Sequence, residues 1–433
     1  MSAVNRVASS QDTKSHRPSA RAFAAILAMA LLTLATQIVL RHELASGPGE
    51  FGTMNALLGA VLVALAPMVA LSRILRRTFS ETEYPPLLRR AALAWGAVCV
   101  IALFAALPWL ELPRPSLTYF TLLACAAALL AICARPVTSV RWCLILGVGA
   151  AIVRLIVSAW AGSAWPSAES GLGALVLACL FAGLPALGDQ PAPPALAAAW
   201  KKLQPDLIPR LAAISVVFAI ALFTNADRIA AQRLFAIAEE THFTPLSGNG
   251  DALVTFVNHP PIDDYQVAGL LMRYLLWGLL PLLFLFHARR NAQSQTTLNS
   301  LRWFWIYLGA LLLGLAFLAF GAPVADVLFN PHFFRHADAP RAEMIGNLPT
   351  LLPAFAGAGF GLGLLQAIAI FALASRRHVE CFVLAACSVV YTAFLFGACH
   401  LMQLLPTCMF GGALVSLMIV LFAGVVRYAR THP

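Results

Sequence analysis

Two arginines stand inside otherwise apolar runs of the chain, Arg154 in AIVRLIVSAW and Arg273 in LLMRYLLWGL. An uncompensated guanidinium at the middle of a membrane-spanning helix costs about 2.5–3.5 kcal/mol on insertion scales. An arginine kept there is expected to face protein or a wet cavity, where its forked donors suit phosphate or acidic sugar oxygens. The competing use is to bind backbone carbonyls or to snorkel toward the membrane surface. A second polar set, Gln37, Asn225 and Asp227, falls late in two other apolar runs. There these side chains either hydrogen-bond the hydroxyls of a ligand or cap a helix, while Arg41 and Glu50 are read as fixing the first hairpin. A third set is acidic: Asp227, Glu239, Glu240, Asp251, Asp263 and Asp264, with His242 and His259, lie between positions 226 and 264. Glycosyl transfer needs a carboxylate base near its acceptor, and a solvated acidic loop is the simpler reading. None of the 19 Asp and Glu falls clearly within a helix core, with Asp227 nearest, so a coupling ion is not assigned.

The elements that must position these residues follow from composition. The 433 residues are 60% hydrophobic and 11% charged, against roughly 25% charged for an ordinary soluble domain. A water-soluble fold is excluded. Apolar runs long enough to span a bilayer as helices occupy 23–40, 54–74, 91–109, 117–134, 142–161, 171–187, 208–224, 265–286, 303–321, 351–374, 381–402 and 407–426. They are continuous and rich in Leu and Ala, unlike the alternating strands of a membrane barrel, so the fold is all-α. The first run is long for a cleaved signal peptide and is read as retained. The expected depths, at 1.5 Å per residue, place Arg154 about 10 Å and Arg273 about 12 Å from the same membrane face.

Basic residues fix the orientation, because cytoplasmic segments retain them. With the N-terminus inside, only Arg41, Arg114, Arg228, Arg233, Arg335 and Arg341 fall outside; every other Lys or Arg, Arg154 and Arg273 apart, is cytoplasmic. The net charge of +10 is then explained by topology and anionic inner-leaflet lipid, and nucleic-acid binding is not expected. The chain divides into a cytoplasmic tail (1–22), a six-helix bundle (23–187), a Pro- and Ala-rich linker (188–207), a second six-helix bundle (208–426) and a tail (427–433). An even number of helices per half is the parallel-repeat arrangement. Nine cysteines without a CxxC spacing predict neither a disulfide nor a metal site, and no cofactor motif is present. Gly357, Gly359, Gly361 and Gly363 give overlapping GxxxG spacings for close helix packing. Pro281 and Pro353 are expected to bend their helices, and His400 is read as a packing residue.

Three stretches carry a resemblance. TQIVLRHELASGPGEFGTMNALLGAVLVAL (36–65) resembles the opening of polysaccharide flippases of the multidrug/oligosaccharidyl-lipid/polysaccharide exporter superfamily: Gln37, then Arg41, then Glu50-Phe51-Gly52 leading into the second helix. LFTNADRIAAQRLF (222–235) is similar to the Asn-x-Asp signature that closes the family's seventh helix, and DYQVAGLLMRYLLWGLLPLLFLFHAR (264–289) resembles its eighth. Twelve helices in two sixes match as well. The long segments 236–264 and 322–350 depart from the family pattern.

The resemblance implies a MATE-like transporter in the bacterial inner membrane. It would flip a polyprenyl-pyrophosphate-linked oligosaccharide between leaflets by alternating access, alongside membrane lipid and, as partners, a polysaccharide polymerase and glycosyltransferases. Arg154, Arg273, Gln37, Asn225 and Asp227 would bind the substrate; no catalytic role is implied. The rivals are a drug exporter of the same superfamily, which should prefer buried acids, and an integral-membrane glycosyltransferase or polymerase using the acidic segment. The flippase for the peptidoglycan precursor usually has fourteen helices.

Overall fold

The computed structural model describes residues 20–46, 49–110, 114–134, 140–188, 195–242, 262–292, 297–329, 348–399 and 404–431. Asp251, His259, Arg335, Arg341 and His400 lie outside the described residues. In lipid no water is available to pair backbone N–H and C=O groups, so apolar runs become helices. Among the described residues the secondary structure is helical throughout. The first half comprises α1 (Ala20–Glu43), α2 (Glu50–Thr78), α3 (Tyr84–Leu110), α4 (Pro115–Ala134), α5 (Val140–Ala164) and α6 (Ala168–Gly183). A short α7 (Leu196–Leu203) follows. The second half comprises α8 (Leu207–His242), α9 (Ile262–Ala292), α10 (Thr297–Phe320), a short α11 (Ala322–Phe329), α12 (Leu348–Ala374), α13 (His378–Ala398) and α14 (Leu405–Thr431).

Nine of the described helices are long and apolar enough to cross a membrane, or ten if the bent pair α10–α11 is one span. That pair turns by 60° at Gly321, where Pro323 supplies no backbone donor. Large apolar side chains such as Leu93, Phe317 and Phe422 point outward, as the lipid-facing surface of a multi-pass membrane protein requires.

The seventh span differs from expectation. The residues Asn225, Asp227, Arg228 and Arg233 read as a helix end, yet α8 continues through them to His242, 36 residues in all. The charged pair Asp227-Arg228 is buried against neighbouring helices, so it needs no water and does not terminate the helix. Arg228 is therefore an interior residue and not an external one.

Helix contacts follow small side chains, because apolar helix surfaces in lipid gain little from mere contact. Gly359 of α12 lies against Met272 and Leu315, Gly363 against Leu311, and Gly361 against Phe410 and Ala413. These glycines seat α12 on α9, α10 and α14, as the GxxxG spacing predicts; Gly357 meets nothing.

Helix α2 is the strut between the halves, packing on α8 and α9. Near the α1–α2 turn, Leu40, Leu44, Phe51, Met54 and Leu57 share one apolar core with Ala226, Ala230, Ile262 and Tyr265 of α8 and α9. Farther along α2, Val61, Leu65, Met68 and Leu75 belong to a separate core with α3 and α4. Apolar packing thus joins the halves at the α1–α2 end. At the opposite end α7 is held from both sides. Lys202 pairs with Glu83 of the α2–α3 turn at 2.8 Å, and Arg210 of α8 donates to the Leu203 carbonyl at 3.1 Å.

Candidate functional site: a buried arginine cluster and a latch

Two guanidinium groups and one carboxylate come together between α8 and α9, and Arg154 of α5 approaches them only through Tyr274. Arg273 of α9 is fully buried. Its Nε donates to the Thr224 carbonyl and its Nη2 is ion-paired with Asp227 Oδ2, both across to α8. Thr224 turns its hydroxyl to the Ile220 carbonyl, one helical turn back, at 2.7 Å. Room for the guanidinium comes from Gly269, where a Cβ would stand 2.6 Å from Arg273 Nη1. Tyr265 reaches the same carboxylate oxygen, its hydroxyl 3.4 Å from Asp227 Oδ2.

Arg228, the next residue on α8, is 1% exposed and lies over Gly59 of α2, where a Cβ would stand 3.0 Å from its Cδ. Its Nε and Nη2 have no protein partner, nor do Arg273 Nη1, Arg154 Nε or Asp227 Oδ1. Arg228 interacts electrostatically with Arg273, Asp227 and Tyr274. Arg154 of α5, half-buried, interacts with the same Tyr274. One tyrosine of α9 therefore stands within the electrostatic reach of arginines from both halves.

Unpaired buried donors of this kind are costly unless something satisfies them. One carboxylate cannot balance two buried guanidinium groups, and the excess positive charge is what an anion would complement. Buried amides add acceptors: Gln37, Asn55, Asn225 and Gln266 each keep a side-chain oxygen without a partner.

The sequence-derived site residues divide accordingly. Arg154 and Arg273 do come from different halves at similar depth, but Arg273 is half committed to Asp227, leaving Nη1 free. Asn225 and Asp227 are mid-helix residues and not caps, since α8 runs past them; Asn225 Nδ2 binds the Ala221 carbonyl at 2.8 Å. Gln37 is buried on α1. Arg228, Tyr274 and Gln266 escaped the sequence reading. The signal for Arg228 was present in the apolar continuation IAAQRLFAIA beyond it, which shows that the helix had not ended.

Arg41 has a further task beyond the one its position predicted. It braces its own hairpin, its guanidinium 5.9 Å from the centroid of the Phe51 ring, and it also crosses to the second half, binding Asp263 at 2.9 Å and Asp264 at 3.1 Å at the start of α9. Asp263 also accepts the Gly52 N–H at 2.7 Å, pairing a free donor of α2's first turn. Burial pushes the Asp263 carboxyl above its ordinary range, against the pull of Arg41 and the Gly52 N–H. Glu50 binds Arg114 at 2.6 Å and the Ala168 N–H at 2.7 Å, tying the starts of α2, α4 and α6. Gly49, at φ +78°, completes this latch: a Cβ there would stand 2.7 Å from Phe235 of α8. Both carboxylates are bound by Arg41, which gives Asp263 and Asp264 a structural role here.

No family model and no curated protein matches this sequence. Solved structures do. The inward-facing conformation of a multidrug resistance MATE family transporter of the MOP superfamily is similar over 93% of this chain and 95% of that one, at 12% identity and a TM-score of 0.56. A MATE in the bent conformation (14% identity, 94% and 93% covered, TM-score 0.44) and an outward-facing MATE (12%, 94% and 94%, TM-score 0.42) are also similar. The chain shares the all-helical fold of MATE-type transporters of the MOP superfamily.

Proposed function

We propose that the protein is an alternating-access transporter that moves an anionic, lipid-linked oligosaccharide from the cytoplasmic to the external leaflet of a bacterial inner membrane, with both termini cytoplasmic. The observation that carries this reading is the pair of buried arginines Arg228 and Arg273 against the carboxylate Asp227, with Arg154 of the first half beyond Tyr274 and guanidinium donors left unpaired inside the fold. A pyrophosphate bears the charge and the oxygen acceptors to fill them. The sugar head cannot cross hydrocarbon unaided, because its polar groups would lose their water. Its lipid tail never needs to leave the bilayer.

The joined α1–α2 end corresponds in this reading to an external gate in its closed position, and the separate cores toward the other end to a cytoplasmic opening. The six-helix halves 23–187 and 208–426 would rock as units about α2 and α8, handing the cargo to a polymerase and drawing it from glycosyltransferases. Multidrug export, the property in the name of the similar MATE transporter, is the second reading. It asks for free buried acids to attract cations, and Asp227 is already bound to Arg273.

The test is reconstitution in liposomes with a fluorescent polyprenyl-diphosphate oligosaccharide, inner-leaflet probe being scored by protection from a membrane-impermeant quencher. Wild-type protein should carry the probe across. Arg228→Ala and Arg273→Ala, at equal incorporation, should slow it at least tenfold. Transfer of the probe unchanged in both variants, or extrusion of an organic cation in its place, would overturn the proposal.

A further inference from the structure

A surface groove lies well away from the buried arginines, between α3 and α4 toward the α2–α3 end. It measures about 350 Å³ and lies on the outer surface of the first half. Its walls include Leu93, Gly96, Cys99, Cys125 and Leu129, and its charged lining residue is Arg89 in the second turn of α3. Leu93 on its rim is 70% exposed, so the groove opens to the surface that faces lipid. Gly96 keeps it hollow: a Cβ there would meet only Leu129 Cδ1, at 3.4 Å.

An apolar groove does not hold water well, and here it borders the hydrocarbon of the membrane. What fills it must be apolar along most of its length. Arg89 is exposed, and no carboxylate among the described residues pairs with it. Arg73, Arg76, Arg77 and Arg90 sit at the same end, and Glu83, the acid nearest in sequence to Arg89, is taken by Lys202. The charge at the mouth therefore complements an anion, and basic pockets between spanning helices favour anionic lipid head groups. We infer that this groove is a binding site for an anionic phospholipid, one acyl chain lying between α3 and α4 and the phosphate meeting Arg89.

The site is independent of the transported cargo, and its test is binding rather than transport. The full-length protein is placed in nanodiscs containing a phosphatidylglycerol that carries a photoreactive diazirine on one acyl chain, or the matching phosphatidylcholine at the same mole fraction. Crosslinked peptides are mapped by mass spectrometry. Phosphatidylglycerol should label the segments 89–100 and 122–133 at least fivefold more than phosphatidylcholine. Arg89→Gln, at an exposed position that leaves the fold intact, should erase that preference. Gly96→Phe should fill the groove and remove labelling of these segments by both probes, while labelling of the α12–α14 surface persists as the folding control. Equal labelling by the two lipids, a preference that survives Arg89→Gln, or labelling indifferent to Gly96→Phe would each overturn the inference.

Discussion

At the scale of single residues, Asp227 and Arg228 are neighbours in sequence with opposite energetic roles. Asp227 holds Arg273, and removing one member of a buried ion pair leaves the other charge uncompensated, typically at about 3–5 kcal/mol. Asp227→Ala should therefore lower the thermal unfolding temperature in detergent markedly. Arg228 has no such partner. Arg228→Met, similar in length and apolar, should leave that temperature unchanged or raise it while abolishing transfer of the pyrophosphate probe, the trade between stability and activity that functional sites display. If Arg228→Met destabilised as much as Asp227→Ala, its guanidinium would be structural. Arg273 was legible in the sequence because one charge in an apolar run stands out. Arg228 was not, because charges adjoining a run's apparent end read as the membrane surface; burial by a second helix cannot be read from that helix's own residues.

At the scale of elements, the glycines of α12 make separable claims. A Cβ at Gly363 would stand 2.6 Å from Leu311, whereas one at Gly357 meets nothing. Gly363→Val should cost about 1–3 kcal/mol by overpacking; Gly357→Ala should stabilise by up to about 1 kcal/mol through helix propensity. Thermal unfolding of the two variants side by side checks both. The regular spacing made this packing visible in the sequence. Which of the four glycines is idle was not visible, since that depends on where α10 and α14 lie. Of the twelve expected spans, nine, or ten with the bent pair α10–α11, stand among the described residues as helices able to cross a membrane; these were legible because a bilayer imposes one length and one composition on every spanning helix. The exception, α8, fails that rule for a physical reason: it extends beyond the span and buries its polar residues against protein.

At the scale of the whole molecule, the latch of Arg41, Asp263, Asp264 and Gly52 joins the halves at the α1–α2 end, and under the proposed function it would set the balance between closed and open ends. Arg41→Gln removes two ion pairs and should shift the population toward the open form, read as longer spin-label distances across the α1–α2 end. The pH dependence follows from Asp263. Its carboxyl is held above the ordinary range when closed and returns to that range when opened to water, so opening releases a proton. The contribution to closure is fully present below the ordinary carboxylate value and is lost as the pH rises through the raised one. The closed fraction should accordingly grow on acidification across that window, and Asp263→Asn should flatten the dependence. The hairpin contact of Arg41 was legible in the sequence, but its pairing with Asp263 was not, because the two stand 222 positions apart.

The bracing of α7 has a consequence for how the polypeptide can be divided. Since Lys202 fastens this small helix to Glu83 and Arg210 clasps its last carbonyl, the segment from Ala195 onward is tied to both halves by side chains as well as by the backbone. A gene split just ahead of that residue should yield two polypeptides that find each other in the membrane.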